Sequence, residues 1–336
     1  MRTMSLLRPC LVVLFLVAGL LPLAASPPSL MIEEVTVGVY AFRPTEDAFR
    51  TWRAASNSAA VVLEDGVLIY DSHWTPDHVA EATALLRKHT DKPIRYVVQS
   101  HYHGDHTGGA WAYGPEVEII SHHATRERLE AYFAELPETL PTQIEGLEKA
   151  TEGMPAGDRR SRFENMLRYD RALQARIEAG GEPPLPSLTF ESKIVLHRGL
   201  RVEVYFFGRG HTDGDAVVFL PEKGIALVGD LVFNGMIPNL ADGHSEEWIA
   251  TLRQIAALGP KQVVPGHGAL ATGAVVERQI AYLEWLRSAV GEQVRGGKTL
   301  EEAQAAVELP AAYEDFGMRQ FFGGNVAKVY QELASP

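Results

Sequence analysis

The 336-residue sequence contains a single cysteine, Cys10, and this scarcity limits its chemistry. One cysteine excludes a framework of intrachain disulfides and a metal site built on several thiolates. Any metal bound by this chain must therefore be held by nitrogen and oxygen atoms. The sequence is well supplied with nitrogen ligands of this kind, because it contains 12 histidines.

Basic residues are also in the minority. The chain has 31 Lys and Arg against 43 Asp and Glu, a formal net charge of −12. Because binding to nucleic acid requires a basic surface, we expect no nucleic-acid partner. Hydrophobic residues make up 46% and charged residues 22%, an ordinary globular composition, and the length allows one large domain or two small ones.

Long apolar runs are absent except near the start of the chain. Arg2 and Arg8 precede an apolar run over residues 10–23, which is followed by Ala24 and Ala25. The run is shorter than the ~20 residues of a membrane-spanning helix. This layout predicts a signal peptide over residues 1–25 and a mature chain, 26–336, that is periplasmic or secreted, without Cys10 and without a stable membrane anchor. The alternative is an uncleaved anchor.

Two similar groups of elements follow, each made of short strands and then a helix and a further strand. The first group is predicted from Ile32–Phe42 as one strand, Ala59–Leu63 and Val67–Tyr70 as a hairpin, a helix from Thr75, and Ile94–Val98. The second is predicted from Val202–Phe207, Ala216–Leu220, Ile225–Val228, a helix over Ser245–Leu258, and Gln262–Val264. The repetition indicates an α/β fold of two sheets with helices outside.

Two regions fall outside this repetition. Residues 124–187 are rich in Glu, Arg, Leu and Ala and predict a helical insertion, which could be a surface appendage, a lid or a dimer contact. Residues 295–336 are predicted to pack as a C-terminal cap on a single domain over 26–336. The sequence does not predict the oligomeric state.

The densest chemical signal is the run from His101 to His106, directly after a predicted strand. It places three imidazoles and the carboxylate of Asp105 within six residues. His101 and His103 share one face of an extended chain, and the following turn can bring Asp105 and His106 nearby. Nitrogen and carboxylate ligands at this spacing suit zinc.

Three further ligand-type residues also lie at strand ends and next to glycine. They are His211 in Gly-His-Thr, Asp230 in Gly-Asp and His267 in Pro-Gly-His-Gly. Each alone has an ordinary structural explanation, such as a turn cap or a hydrogen-bonded core histidine. Together with the run at 101–106, they predict one metal site at the strand ends.

The motif order HxHxDH, GHT, GD and PGHG resembles the metallo-β-lactamase superfamily over roughly residues 32–123 and 188–285. The resemblance implies a four-layered αβ/βα sandwich with two Zn²⁺ ions per chain at one edge of the sheets. It implies that Asp230 bridges the two ions and that Asp71 lies behind the site and orients ligands. It assigns His101, His103 and His211 to the first zinc and Asp105, His106 and His267 to the second.

The stretch from Asn239 to Trp248 is similar to class B β-lactamases, which implies a contact between Asn239 and the substrate carbonyl. Loop capping is the alternative role for Asn239. Two departures separate this sequence from many such enzymes. Asp230 replaces their zinc-binding cysteine, and Phe233 stands where a basic residue often follows. An aspartate at the bridging position is similar to dizinc thioesterases, lactonases and phosphodiesterases of the superfamily.

These residues predict an exported dizinc hydrolase that acts on a small-molecule substrate. A metal-bridging hydroxide is expected to cleave a cyclic amide, an ester or a related bond, with Asp105 orienting the hydroxide. Three alternatives stay open: a lactonase or thioesterase of the same superfamily, a periplasmic metal-binding accessory protein of a redox system with little turnover, and iron in place of zinc. The sequence does not identify the substrate.

Overall fold

Two mixed β-sheets form the centre of the molecule, as seen in a computed structural model that describes residues 27–334. The predicted signal peptide, residues 1–25, lies outside the described residues. The first sheet has seven strands in the order β1 to β7, and the second has five in the order β12-β11-β10-β9-β8. The strands are β1 Leu30–Thr36, β2 Val39–Pro44, β3 Ser58–Val62, β4 Val67–Tyr70, β5 Ile94–Val98, β6 Glu118–His122, β7 Leu188–Phe190, β8 Lys193–His197, β9 Arg201–Phe206, β10 Ala216–Leu220, β11 Ile225–Phe233 and β12 Gln262–His267.

Helices cover the outer faces of both sheets and form the two appended regions. They are α1 Glu46–Arg50, α2 Pro76–Leu86, α3 Gly104–Thr107, α4 His123–Thr151, α5 Asp158–Glu178, α6 Ser245–Ala257, α7 Ala274–Arg295, α8 Leu300–Ala306 and α9 Phe322–Ala334. Within the described residues, no helix is both long and apolar enough to cross a membrane.

The alternating side chains of β10 show why the fold has four layers. Ala216, Val218 and Leu220 belong to a buried cluster between the two sheets. Val217 and Phe219 point to the opposite face, where they pack in a second cluster with α6 and α7. A third cluster joins the outer face of the first sheet to α2. Because strand side chains alternate between faces, one strand can serve two cores. The predicted αβ/βα sandwich is therefore confirmed.

The first predicted strand was wrong in its extent. Ile32–Phe42 is not one strand but the two arms of an antiparallel hairpin, β1 and β2. The chain reverses at Gly38, whose φ of +77° lies in the left-handed region that glycine adopts without steric penalty. Apolar residues on both sides of a tight turn look continuous in the sequence, which explains the misreading.

One further strand was not predicted, and one strand is longer than predicted. β7 was not predicted, because it has only three residues, and it pairs parallel to β6. β11 continues to Phe233, beyond the predicted end at Val228, with irregular pairing to β12 around Gly229. This irregular stretch contains Asp230, so the strand extends through the part of the chain that carries a predicted ligand.

The 124–187 region contains two antiparallel helices, α4 and α5, with their own small core of Leu136, Leu140 and Ile144. His122, the residue before α4, caps the helix by accepting a hydrogen bond from the Ala124 amide. α5 lies against the loop after α1: Arg162 and Asn165 donate to the carbonyls of Arg50 and Thr51. At the other end of the chain, α8 and α9 pack against α7.

Candidate metal centre

Seven predicted ligands meet at one edge of the two sheets. His101 and His103 follow β5, and Asp105 and His106 lie on α3. The other three come from the second sheet: His211 precedes β10, Asp230 lies within β11, and His267 ends β12. The edge gathers them because β4, β5, β11 and β12 all end or bend there.

The ligand atoms form two groups. His101, His103, His211 and Asp230 each offer an atom within 4.8 Å of the others, and Asp105, His106 and His267 form a second group of the same compactness. Asp230 connects the groups. Its Oδ2 lies 3.4 Å from His211 Nε2 and 3.3 Å from His267 Nε2, and its Oδ1 lies 3.0 Å from His106 Nε2. One carboxylate thus faces both groups.

Each of the five imidazoles has its outward nitrogen next to a hydrogen-bond acceptor. The partners are Ser100 Oγ for His101, Asp242 for His103, Asp71 for His106, the Asn239 carbonyl for His211 and the Ala55 carbonyl for His267, all at 2.8–3.0 Å. An imidazole that donates from one nitrogen presents a lone pair on the other. The inward atoms, which could coordinate a metal, are therefore Nδ1 of His103 and Nε2 of the other four.

Asp71 lies behind the site and is fully buried. It accepts hydrogen bonds from the Ser100 amide at 2.7 Å, from Ser100 Oγ at 2.8 Å and from His106 Nδ1 at 2.8 Å. Ser100 Oγ in turn lies 2.9 Å from His101 Nδ1. Asp71 therefore supports one histidine of each group, directly for His106 and through Ser100 for His101.

Asp242 is a partner that the sequence did not single out. Its Oδ2 lies 2.9 Å from His103 Nε2, and hydrogen bonding to His103 lowers the Asp242 pKa to about 2. The two residues are separated by 139 positions in the chain. Asp242 lies in the stretch from Asn239 to Trp248, but no spacing in the sequence connects that stretch to His103.

The position of Asp230 depends on a neighbouring glycine. A Cβ atom added at Gly266 would lie 1.9 Å from Asp230 Oδ1 and 2.6 Å from the Gly229 carbonyl carbon. These separations are far inside van der Waals contact, so only glycine leaves room for the carboxylate. Gly266, which precedes the candidate ligand His267 in the Pro-Gly-His-Gly motif, therefore also leaves the space that the Asp230 carboxylate occupies.

Burial sets the charge state of two histidines in the first group. It lowers the pKa of His211 to about 3 and holds the pKa of His101 well below its ordinary value. Both imidazoles are therefore neutral at physiological pH. The neutral form is the one that coordinates a metal.

Carboxylates set the charge state of the second group. Burial opposes a proton on His106 and on His267, but Asp230 and neighbouring carboxylates outweigh burial and raise the pKa of both. Burial likewise disfavours the Asp230 anion, but His267 and His106 outweigh it and hold the Asp230 pKa well below its usual value. A bound dication would act in the opposite direction on both imidazoles, lowering their pKa and displacing protons from the nitrogens that bind it.

The donor set fits a metal centre. His101 Nε2 is buried without a hydrogen-bond partner within the described residues, and the buried pair His106 Nε2 and Asp230 Oδ1, although 3.0 Å apart, lacks the geometry of a hydrogen bond. Buried polar atoms normally have a partner, so orphaned atoms that converge on one point indicate a missing ligand. Imidazole nitrogens and carboxylate oxygens are the zinc ligands of proteins that do not use thiolates.

Asn239 of the predicted site, and Phe233 at the position where a basic residue is expected, have the following surroundings. The Asn239 side chain accepts a hydrogen bond from the Ala241 amide at 3.1 Å, and its carbonyl accepts from His211. Its proposed contact with the substrate carbonyl therefore stays a prediction. Phe233 stacks on the His267 ring, with centroids 5.1 Å apart and planes 9° apart.

A third group of ligand-type residues, His122, His123 and Glu191, lies outside the site. His122 Nδ1 accepts from the Ala124 amide, and its Nε2 lies 3.1 Å from the Glu191 carbonyl oxygen. Both ring nitrogens are thus engaged, which leaves His122 as a structural cap.

The family model described as Metallo-beta-lactamase superfamily matches residues 51–267, more than half of the chain. Among curated proteins, the chain is 24% identical over 218 residues to a metallo-beta-lactamase type 2 from Bacillus cereus, covering 63% of this chain and 67% of the relative. It is also 23% identical over 254 residues to the 2,4-dinitroanisole O-demethylase subunit alpha of Nocardioides sp. (strain JS1661), covering 75% of this chain and 61% of that subunit.

A linear primary-alkylsulfatase from Pseudomonas sp. (strain ATCC 19151) is 24% identical over 299 residues, which cover 80% of this chain but 53% of the relative. The chain thus spans less than two thirds of the length of two of these relatives.

Solved structures agree at the level of the fold. The metallo-beta-lactamase from Pontibacter korlensis superposes with a TM-score of 0.54 at 20% identity, covering 76% of this chain and 99% of that one. The DIM-1 metallo-beta-lactamase gives a TM-score of 0.53 at 20% identity, covering 76% and 98%. With two packed sheets, the ordered ligand motifs and a family match over 51–267, the chain belongs to the metallo-beta-lactamase superfamily.

Proposed function

We propose that this protein is a hydrolase that binds two zinc ions and cleaves a cyclic amide, an ester or a related bond in a small molecule. The observation that carries the proposal is the arrangement of the seven ligands. All five imidazoles turn one ring nitrogen toward one small volume while an acceptor holds the other nitrogen, and Asp230 faces both groups. Such a preorganised set supports metal chemistry rather than a merely structural role.

Zinc in this site would supply a water of lowered pKa and a Lewis acid. The protein's own contribution is positioning. Asp105 is the ligand-type carboxylate with the largest solvent access, since 22% of its side chain is exposed, and its Oδ2 lies 3.4 Å from His267 Nε2. It is therefore placed to hold or pass a proton between the site and solvent.

The type of bond is proposed from the ligand set and the relatives together. Relatives named as β-lactamases favour a lactam-like substrate, whereas Asp230 in place of a cysteine favours the ester- and lactone-cleaving pattern. Purified protein with added zinc should hydrolyse at least one member of a panel of carbapenems, other lactams, homoserine lactones, thioesters and phosphodiesters. Removal of the metal with a chelator should abolish the activity, and added zinc should restore it.

The control variants separate the site from the rest of the molecule. His101→Ala should remove hydrolysis, while His197→Ala, which changes an exposed histidine at the end of β8, should leave it unchanged. An Asp230→Cys variant that gains lactam hydrolysis would support kinship with class B β-lactamases. Inactivity of the zinc-loaded protein across the whole panel would contradict the proposal and favour a metal-binding accessory role.

We also propose that the protein is exported to the periplasm or secreted. The proposal is supported by the charged, apolar and small-residue order of residues 1–25. N-terminal sequencing of protein recovered outside the cytoplasm should begin near Ser26. Full-length protein retained in the cytoplasm would contradict it.

A further inference from the structure

A cavity of about 730 Å³ lies beside the metal centre, between the helical insertion and the first sheet's helical layer. Its walls include residues of α2, α3, α4 and α5. Gly104 and Thr107 of α3 line it, and the same short helix carries the ligands Asp105 and His106. None of the seven ligand side chains lines the cavity, so it is a separate space that shares one wall with the metal centre.

The cavity wall is unusually aromatic. Trp74 packs against Tyr169 with ring centroids 4.8 Å apart, and Trp111 meets Phe133 edge-on at 6.0 Å. These four rings and Tyr132 line the space. Rigid aromatic walls around a volume of this size are typical of sites for small organic ligands, which occupy roughly 300–1,000 Å³.

Two arginines bring positive charge into this aromatic space. Arg168 lies 5.3 Å from the Tyr169 ring centroid and Arg176 lies 5.2 Å from that of Trp111. Other arginines of the insertion form ion pairs, such as Arg160 with Glu164 and Arg171 with Glu148. Within residues 27–334, no carboxylate reaches ion-pair distance of Arg168 or Arg176.

The acidic residues of the cavity lie outside ion-pair distance of Arg168 and Arg176 and have other surroundings. Glu81 accepts hydrogen bonds from the Ser29 and Leu30 amides. Asp170 accepts from Gln143, and burial raises its pKa, which weakens its anionic character. Asp77 lies in the first turn of α2, where the helix dipole stabilises a carboxylate. Arg53, a third basic residue of the wall, is paired with Asp47.

We infer that this cavity binds an amphipathic organic anion, with its aromatic or alkyl body between the rings of Trp74, Trp111 and Tyr169 and its acid group at Arg168 and Arg176. Planar guanidinium groups suit carboxylate, sulfate and sulfonate oxygens. The aromatic rings supply the apolar contact. This inference does not depend on hydrolysis at the metal centre.

Two dyes that differ in charge test the inference directly. 8-Anilinonaphthalene-1-sulfonate has an aromatic body and a sulfonate, and N-phenyl-1-naphthylamine has the same rings without the charge. The anionic dye should bind saturably with one site per chain and quench tryptophan emission, because Trp74 and Trp111 line the cavity. Replacing both Arg168 and Arg176 with Gln should weaken binding of the anionic dye by about tenfold or more, since the sulfonate loses its charge-assisted hydrogen bonds.

The matched control is a double variant on the same insertion, Arg160→Gln with Arg171→Gln, which removes the same charge outside the cavity. It should keep anionic-dye affinity within about twofold. The neutral dye should bind the Arg168/Arg176 variant as well as it binds the wild type, which shows that the cavity is still formed. Trp111→Leu should lower the affinity of the cavity for both dyes.

Three results would overturn the inference. The first is the absence of saturable binding of the anionic dye. The second is an equal loss of affinity for the anionic dye in the two double variants. The third is an equal loss of affinity for the anionic and the neutral dye in the Arg168/Arg176 variant. Dye binding requires no turnover, so failure of this test and failure of the hydrolysis test are distinguishable.

Discussion

Asp71→Asn should weaken zinc binding through the tautomer of His106 rather than through loss of a ligand. Asp71 has a φ of +62°, a left-handed conformation that asparagine also tolerates, so the exchange preserves the backbone. Asp71 receives three hydrogen bonds on its two oxygens, from the Ser100 amide, Ser100 Oγ and His106 Nδ1. An amide offers one oxygen and adds an NH₂ donor.

The consequence falls on the His106 tautomer. If the amide oxygen keeps the Ser100 amide hydrogen bond, the amide nitrogen faces His106 Nδ1 and donates to it. The ring proton then moves to Nε2, the atom that lies 3.0 Å from Asp230 Oδ1 and should bind metal. Loss of such supporting contacts typically weakens metal affinity by about 10–100-fold, and we expect this loss for the zinc held by Asp105, His106 and His267.

Competition with a chromophoric zinc chelator measures both affinities in one titration. The expected result is one site weakened by about 10–100-fold and the other changed less, because Ser100 Oγ can still accept from His101. Asp65→Asn, in the hairpin turn that pairs with Arg198, is the control and should leave both affinities unchanged. Unchanged affinities in Asp71→Asn, or equal losses in both variants, would refute the reasoning.

Three further predictions concern sterics, charge and pH. Gly266→Ala should lose at least one zinc, measured by mass spectrometry of dialysed protein, because the new Cβ would displace Asp230. Asp242→Asn should weaken zinc binding in the chelator titration by about tenfold, the lower end of the range for such partners, since Asp242 is half-exposed. Burial lowers the His73 pKa from 6.5 to about 3, so the folded protein keeps this ring neutral. The stability that depends on the neutral ring is fully present above pH 6.5 and is lost as the pH falls toward 3. Between pH 7.5 and pH 5.5, the free energy of unfolding of zinc-free His73→Asn should therefore fall by about 1.4 kcal/mol less than that of the wild type, as measured by chemical denaturation.

The convergence of the seven candidate ligands could be predicted from the sequence because they stand in short motifs within or next to apolar strands. β5 and β12 each run parallel to a neighbouring strand and end at this edge, and His211 lies in the loop that leads into β10, so local patterns were informative about His101, His211 and His267. The same reasoning predicted the hairpin of β3 and β4 and the helix begun by Thr75, whose side chain accepts from the His78 amide.

The groups that orient the ligands could not be predicted in this way. The Ala55 carbonyl that holds His267 lies 212 positions away in the chain, and it is a backbone atom with no sequence signature. Asp242 has a side chain but no fixed spacing from His103. The cavity walls arise only when the insertion folds back onto α2 and α3, which no periodicity in residues 124–187 reveals.

The number of zinc ions bound per chain tests the central claim most directly. Protein loaded with zinc, dialysed and analysed by inductively coupled plasma mass spectrometry should retain two ions per chain, because two groups of ligand atoms share Asp230. A value of one or none would contradict the account.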